Sequence, residues 1–107
     1  MKILFFFLAL SASAAPIVYL DPVLYCTGQS MEPLYHSGQR LTVRPIAYRD
    51  IRPNMIIAYR RVDGRIYVHM VIGILRRGLL MKGLNNGRAD DELATEQNIV
   101  GLVADKS

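Results

Sequence analysis

The sequence predicts an all-β domain, a small partly closed barrel or coiled sheet, and three observations carry that expectation. Arg40-Leu41-Thr42-Val43-Arg44 and the longer run Arg65 to Leu75 alternate with the period of two that a strand imposes. Met55 to Val62 is rich in apolar and β-branched residues, the composition of a buried strand. No segment beyond Leu20 sustains a helical stripe.

Taken in order, the chain opens on Lys2, an apolar run from Ile3 to Leu10, and the small residues Ser11-Ala12-Ser13-Ala14-Ala15 before Pro16. A positive start, an apolar stretch and an A-x-A site form a secretory signal. The first reading is therefore a signal peptide over residues 1–20 with cleavage after Ala14. Counting Ile17 to Leu20 makes the apolar stretch just long enough to span a bilayer, so a retained anchor stays open. In both readings the domain at 21–107 is exported and faces the extracytoplasmic side, periplasmic or on the outer face of the membrane.

The strand Arg40–Arg44 comes next, followed by Met55–Val62 and Arg65–Leu75. Asp63-Gly64 lies between the last two and signals a two-residue hairpin, so these strands should pair antiparallel. Arg76-Arg77-Gly78 should reverse the chain again into Leu79–Lys82. Asn85-Asn86-Gly87 and the polar run Asp90 to Gln97 read as one long loop, and Ile99 to Ala104 as a last short strand. Alternation within Arg65–Leu75 puts Ile66, Val68, Met70 and Ile72 on one face and Tyr67, His69 and Val71 on the other.

At 107 residues the chain holds a single core and no separate specificity domain. Lys and Arg number 13 against 9 Asp and Glu, with most of the excess in arginines from Arg40 to Arg65. A solvated strand face accounts for that charge, and attraction to anionic lipid headgroups is the second reading. The arginines fall in no recognisable nucleic-acid motif, so no nucleic-acid partner is expected. Cys26 is the one cysteine and reads as a small buried apolar residue. No cofactor or metal is expected, because His36 and His69 are the only histidines and neither has a second ligand at a metal-binding spacing.

Two segments carry the chemistry. Ser30 lies in Gly28-Gln29-Ser30-Met31-Glu32-Pro33, where a strand must break, and His69 lies in the apolar run Val68-His69-Met70-Val71-Ile72-Gly73. A hydroxyl and an imidazole are the nucleophile and base of a serine peptidase. Each alone has an ordinary structural explanation; the pair together points to catalysis.

Gly28-x-Ser30-Met31-x-Pro33, continued by Leu34 to Gly38 and the strand Leu41-Thr42-Val43, resembles the nucleophile motif of the type I signal peptidase superfamily. His69-Met70-Val71-Ile72-Gly73 falls where that superfamily carries its general base, which is His in the archaeal and endoplasmic-reticulum branch and Lys in bacterial members. No lysine lies between Lys2 and Lys82. Lys82-Gly83-x-Asn85-Asn86, then an Asp, then Asn98-Ile99-Val100-Gly101, resembles the histidine branch's closing motif. The resemblance covers roughly Tyr25 to Ala104. Asn54-Met55, Met70 and Leu84 depart from it, standing where relatives usually carry Gly-Asp, Arg and Asp.

This resemblance implies a membrane-proximal serine endopeptidase that cleaves signal peptides or other exported precursors after small residues, with the polypeptide precursor and the membrane lipid surface as its expected partners. Ser30 is the nucleophile and His69 the base, so activity should fall as the imidazole gains a proton. Asp90 is the first choice for the third residue, with Asp91 as the alternative. The Ser30 backbone N–H, helped by Gln29, is the expected oxyanion hole. A relative specialised for one substrate and a catalytically degenerate exported binding module on the same β fold are the competing readings. The oligomeric state is left open.

Overall fold

A computed structural model describes residues 23–103. The segment expected to be a signal or anchor at 1–20, and Ala104 at the end of the last expected strand, lie outside the described residues. Within them the chain is mostly β: β1 (Val23–Tyr25), β2 (Arg40–Arg44), β3 (Ile56–Arg60), β4 (Ile66–Leu75), β5 (Gly78–Lys82) and β6 (Ile99–Val103), with a short 3-10 turn at Tyr48–Asp50. The strands form one antiparallel sheet in the order β1-β2-β6-β3-β4-β5. The sheet is open: among the described residues β1 and β5 are its two ends and do not pair. The expectation of a partly closed barrel thus reduces to an all-β open sheet.

Both faces of this sheet are apolar. Leu41 and Val43 of β2, Ile56 and Ala58 of β3 and Val103 of β6 pack with Cys26, Met31 and Tyr35 on one side, joined by Ile66, Val68 and Met70. On the other side Ile57, Tyr59, Val71, Leu79 and Met81 pack with Ile51 and Ala94, joined by Tyr67, Ile99 and Leu102. Four of the five residues of β3 are buried, as expected for a strand with neighbours on both edges and apolar cover on both faces. Cys26 is buried with a free thiol, and burial, followed by the charge of Glu32, pushes that thiol up from its ordinary value.

The structure corrects two details of the expected strands. The β3–β4 turn holds three residues between Arg61 and Arg65 rather than two. Gly64 N–H donates to Arg61 O, and Arg61 N–H donates to Arg65 O. Gly64 takes a φ of +85°, so the turn closed by the Arg61–Gly64 hydrogen bond ends on a left-handed glycine. Asp63 is not left-handed there; its Oδ1 accepts from Arg65 N–H and its Oδ2 from the Tyr67 hydroxyl.

The second correction concerns Ile72. The β4–β5 register runs Val71↔Met81 and then Gly73↔Leu80, which leaves Ile72 as an inserted residue. A bulge of this kind interrupts the alternation, so Ile72 is exposed, whereas Ile66, Val68 and Met70 are partly buried.

Asn54, just before β3, has a φ of +76°. Asn tolerates this left-handed conformation better than other side-chain-bearing residues. Asn54 N–H reaches Val71 O at 2.8 Å and Val71 N–H returns to Met55 O at 2.9 Å. This pair extends the β3–β4 ladder and fixes the centre of β4, two residues from His69.

Candidate active site

The register between β4 and β5 builds the site. Met70 faces Lys82 and Val71 faces Met81, so the same register carried one residue further sets Gly83 beside His69. Opposed residues of an antiparallel pair point to the same face. A side chain at Gly83 would therefore stand next to the imidazole, but its place is taken: a Cβ there would lie 2.9 Å from Ser30 Cβ and 2.8 Å from Ser30 O. Ser30 occupies the slot that the missing side chain leaves open.

Hydrogen bonds hold Ser30 in that slot. Asn85 N–H donates to Ser30 O at 2.7 Å, and the Asn85 side-chain amide donates to Gln29 O at 3.0 Å. Glu32 N–H also reaches Gln29 O, and Tyr35 N–H reaches Met31 O, closing a tight turn around the hydroxyl. Met31, buried next in sequence, anchors this turn in the core. The Ser30 N–H makes no backbone hydrogen bond among the described residues.

The loop from Arg88 to Gln97 is not free of the sheet, although its composition reads as a loop. Leu79 and Ala94 exchange backbone hydrogen bonds, and Asp90 N–H donates to Met81 O at 2.8 Å. The segment thereby runs along the outer edge of β5, which also covers an otherwise open strand edge. This pairing fixes which of the two acidic residues turns inward. Asp90 meets His69, whereas Asp91 is exposed.

Ser30, His69 and Asp90 are thus brought together from three distant parts of the chain. His69 Nε2 lies 3.0 Å from Ser30 Oγ, and His69 Nδ1 lies 2.6 Å from Asp90 Oδ2. The side chains of His69 and Asp90 are 6% and 4% exposed. A carboxylate only accepts, so Nδ1 carries the proton shared with Asp90 and Nε2 is left to accept from the Ser30 hydroxyl. Comparison with family models, curated proteins and solved structures finds no match. The geometry of the site is therefore the ground on which any function has to be argued.

A cavity of about 320 Å³ opens on these groups, and its lining includes Leu24, Ile66 and Val68 together with Arg61, Tyr67 and Asn86. Gln29, expected beside the oxyanion, does not line it; its carbonyl serves the turn instead. Asn86 does line it.

Tyr59 is a contact that sequence reasoning missed. It is fully buried on β3, and its hydroxyl donates to Asp90 Oδ2 at 2.7 Å. Burial, then the hydrogen bond and charge of Asp90, push the phenol far above its ordinary range. Beyond it the Arg61 guanidinium lies 4.4 Å over the Tyr67 ring, and Tyr67 meets His69 edge-on with centroids 5.9 Å apart. Arg61 Nε also donates to Glu92 at 2.7 Å. That hydrogen bond, with a second from Val62 N–H, holds the Glu92 carboxyl below its usual range. Among the described residues no cluster of His, Cys, Asp and Glu could hold a metal ion.

Proposed function

We propose that this chain is a serine endopeptidase of the signal-peptidase type, acting near a membrane on exported precursors and cutting after small residues. The observation that carries the reading is the line of hydrogen bonds from Ser30 Oγ through the His69 ring to Asp90, opening on a cavity with both apolar and polar side chains in its lining. A nucleophile, a base and a group orienting that base, each within hydrogen-bond reach, are what acyl transfer needs. The open sheet, apolar on both faces, is read as the coiled β fold of that family.

In this mechanism Ser30 Oγ attacks the scissile carbonyl carbon while its proton passes to His69 Nε2. The C–N bond breaks as the imidazolium returns that proton to the leaving amine, leaving an acyl ester on Ser30. Water, deprotonated by the same imidazole, then releases the acid and restores the hydroxyl. The Ser30 N–H, which has no backbone acceptor among the described residues, is the first oxyanion donor. Asn86, which lines the cavity where Gln29 does not, is the neighbouring side chain that supplies a second. Asp90 holds the ring in the Nδ1–H tautomer and stabilises its charged form.

The departures from the family's pattern are compatible with chemistry. Asn54 takes the left-handed conformation that a glycine would supply, and Met70 packs against the core face opposite His69. Leu34 and Leu84 are exposed apolar side chains in the two segments that meet at Ser30, which supports approach to lipid.

Processing of an exported precursor by wild type, Ser30→Ala and His69→Ala proteins, with lipid or detergent present, tests the proposal. Cleavage by wild type alone supports it, with a rate that falls as the imidazole is protonated in acid. Cleavage retained in both variants ends the reading, and equal inactivity of all three favours the degenerate binding module.

A further inference from the structure

We propose that Tyr59 is a positioning residue for this site, whose phenol fixes the Asp90 carboxylate and limits how strongly that carboxylate holds the His69 ring. The inference rests on the reading of Ser30, His69 and Asp90 as a catalytic relay. Its basis is that one oxygen is shared: Asp90 Oδ2 lies 2.7 Å from the Tyr59 hydroxyl and 2.6 Å from His69 Nδ1.

The phenol is the donor in this contact, because a carboxylate can only accept. Tyr59 reaches Asp90 from inside the sheet. In the β3–β4 ladder Ile57 faces His69 and Tyr59 faces Tyr67, so Tyr59 lies diagonal to the imidazole on the same face, within reach of a long side chain. It does not line the cavity and touches no substrate. A buried hydroxyl needs a partner, yet any carbonyl would have satisfied it. Here the partner is the oxygen on which the base depends.

Two donors on one oxygen divide its charge. Charge-assisted hydrogen bonds are strong and short, so the Tyr59 bond weakens Oδ2 as an acceptor for the imidazolium while pinning the carboxyl rotamer. Removing the phenol has two consequences with opposite visibility. The carboxylate binds the charged ring more tightly, so His69 takes up its proton at higher pH. It also loses a restraint, so the ring is less well held for catalysis. The charged and titratable groups around the pair are Arg61, Glu92, Tyr67, Asp63, Arg65 and Cys26. All are retained in a Tyr59 variant, so they cancel in the comparison.

The test follows the His69 ring nitrogens by NMR through a pH titration of the full chain in detergent micelles, in wild type and Tyr59→Phe. The labelling rate of Ser30 by a fluorophosphonate is measured on the same samples. The His69 midpoint is expected to rise by about half a pH unit in Tyr59→Phe. Maximal labelling should fall by about tenfold with the half-saturating probe concentration unchanged, because only the relay is altered. A midpoint that stays put or falls overturns the proposal.

If Tyr59→Phe does not fold, site-specific replacement of Tyr59 by 3-fluorotyrosine decides. Its more acidic phenol donates more strongly and should move the midpoint down, and an upward or absent shift refutes the role. The underlying reading fails separately. Wild type left unlabelled at Ser30, with the His69 midpoint still responding to Tyr59, would sink the peptidase and leave the Tyr59 coupling standing.

Discussion

Gly83→Ala is the sharpest probe of how Ser30, the proposed nucleophile, is placed, because residue 83 itself brings no functional group to the site. The added Cβ would lie 2.8 Å from Ser30 O, 2.9 Å from Ser30 Cβ and 2.6 Å from Asn86 Nδ2, whereas ordinary contact begins at 3.4 Å. The Asn86 amide can swing aside, but Ser30 cannot. Its carbonyl is backbone and is tied to Asn85 N–H. Ser30 must therefore retreat by about half an ångström, stretching a Ser30–His69 hydrogen bond that is 3.0 Å in the native site.

Overpacking of this kind costs about 2 kcal/mol, or about 10 °C in Tm for a domain of this size. A displacement of this order at a reacting atom costs up to about a hundredfold in rate. The assay is a thermal melt together with the rate of Ser30 labelling by a fluorophosphonate. Labelling at the wild-type rate with an unchanged Tm would refute the claim that Ser30 sits in the side-chain slot of residue 83.

Two further predictions concern the acidic residues. Asp90→Asn should lower kcat by about four orders of magnitude, through loss of the correct tautomer, while exposed Asp91→Asn should leave it unchanged; equal effects in precursor cleavage would show that the wrong carboxylate has been assigned. At the hairpin, backbone and Tyr67 hydrogen bonds hold Asp63 below its usual range, and Arg61 with Val62 does the same for Glu92. Carboxyls depressed in the folded state contribute stability that is complete above their unfolded values near about 4, and that contribution is lost as pH falls through the lower folded values. The Val62 and Arg65 amides should therefore exchange faster with solvent below about pH 4 than at pH 6 after correction for intrinsic rates, and equal protection would contradict the sign.

Much of the fold was legible because alternation is a strong signal where a strand has a definite inner face. β2 spans Arg40–Arg44 as expected, and β3 and β4 fall within one or two residues of the expected bounds. β1 was missed. It is three residues long with both terminal side chains exposed, so no period could register. The bulge at Ile72 was hidden for a related reason, since an inserted residue leaves local composition unchanged and shows only in the pairing with β5.

The site was legible in its chemistry and not in its support. His69 stands out because it is polar within an apolar run, and Ser30 stands out through its pairing with His69. Asp90 and Asp91 are chemically equivalent neighbours, and what separates them is a single backbone hydrogen bond, from Asp90 N–H to Met81 O. Tyr59 was invisible for the opposite reason. An aromatic in a buried strand reads as packing, and its ring does pack, with only the hydroxyl revealing the second task.

The same face of the sheet explains how a polar relay can sit inside so small a core. His69 projects beside Ile57, Tyr59, Val71 and Met81, an apolar surface that by itself would make a buried imidazole costly. The polar atoms of the relay meet one another: Nδ1 meets Asp90, Nε2 meets Ser30, and Asp90 Oδ2 is met a second time by Tyr59. Removing one member leaves the next unpaired, and an unpaired buried polar group costs about 1–3 kcal/mol, more if it is charged. The network should thus hold its own geometry before any substrate arrives. Preorganisation of this kind is what a base needs if little reorganisation is to remain for the moment of attack.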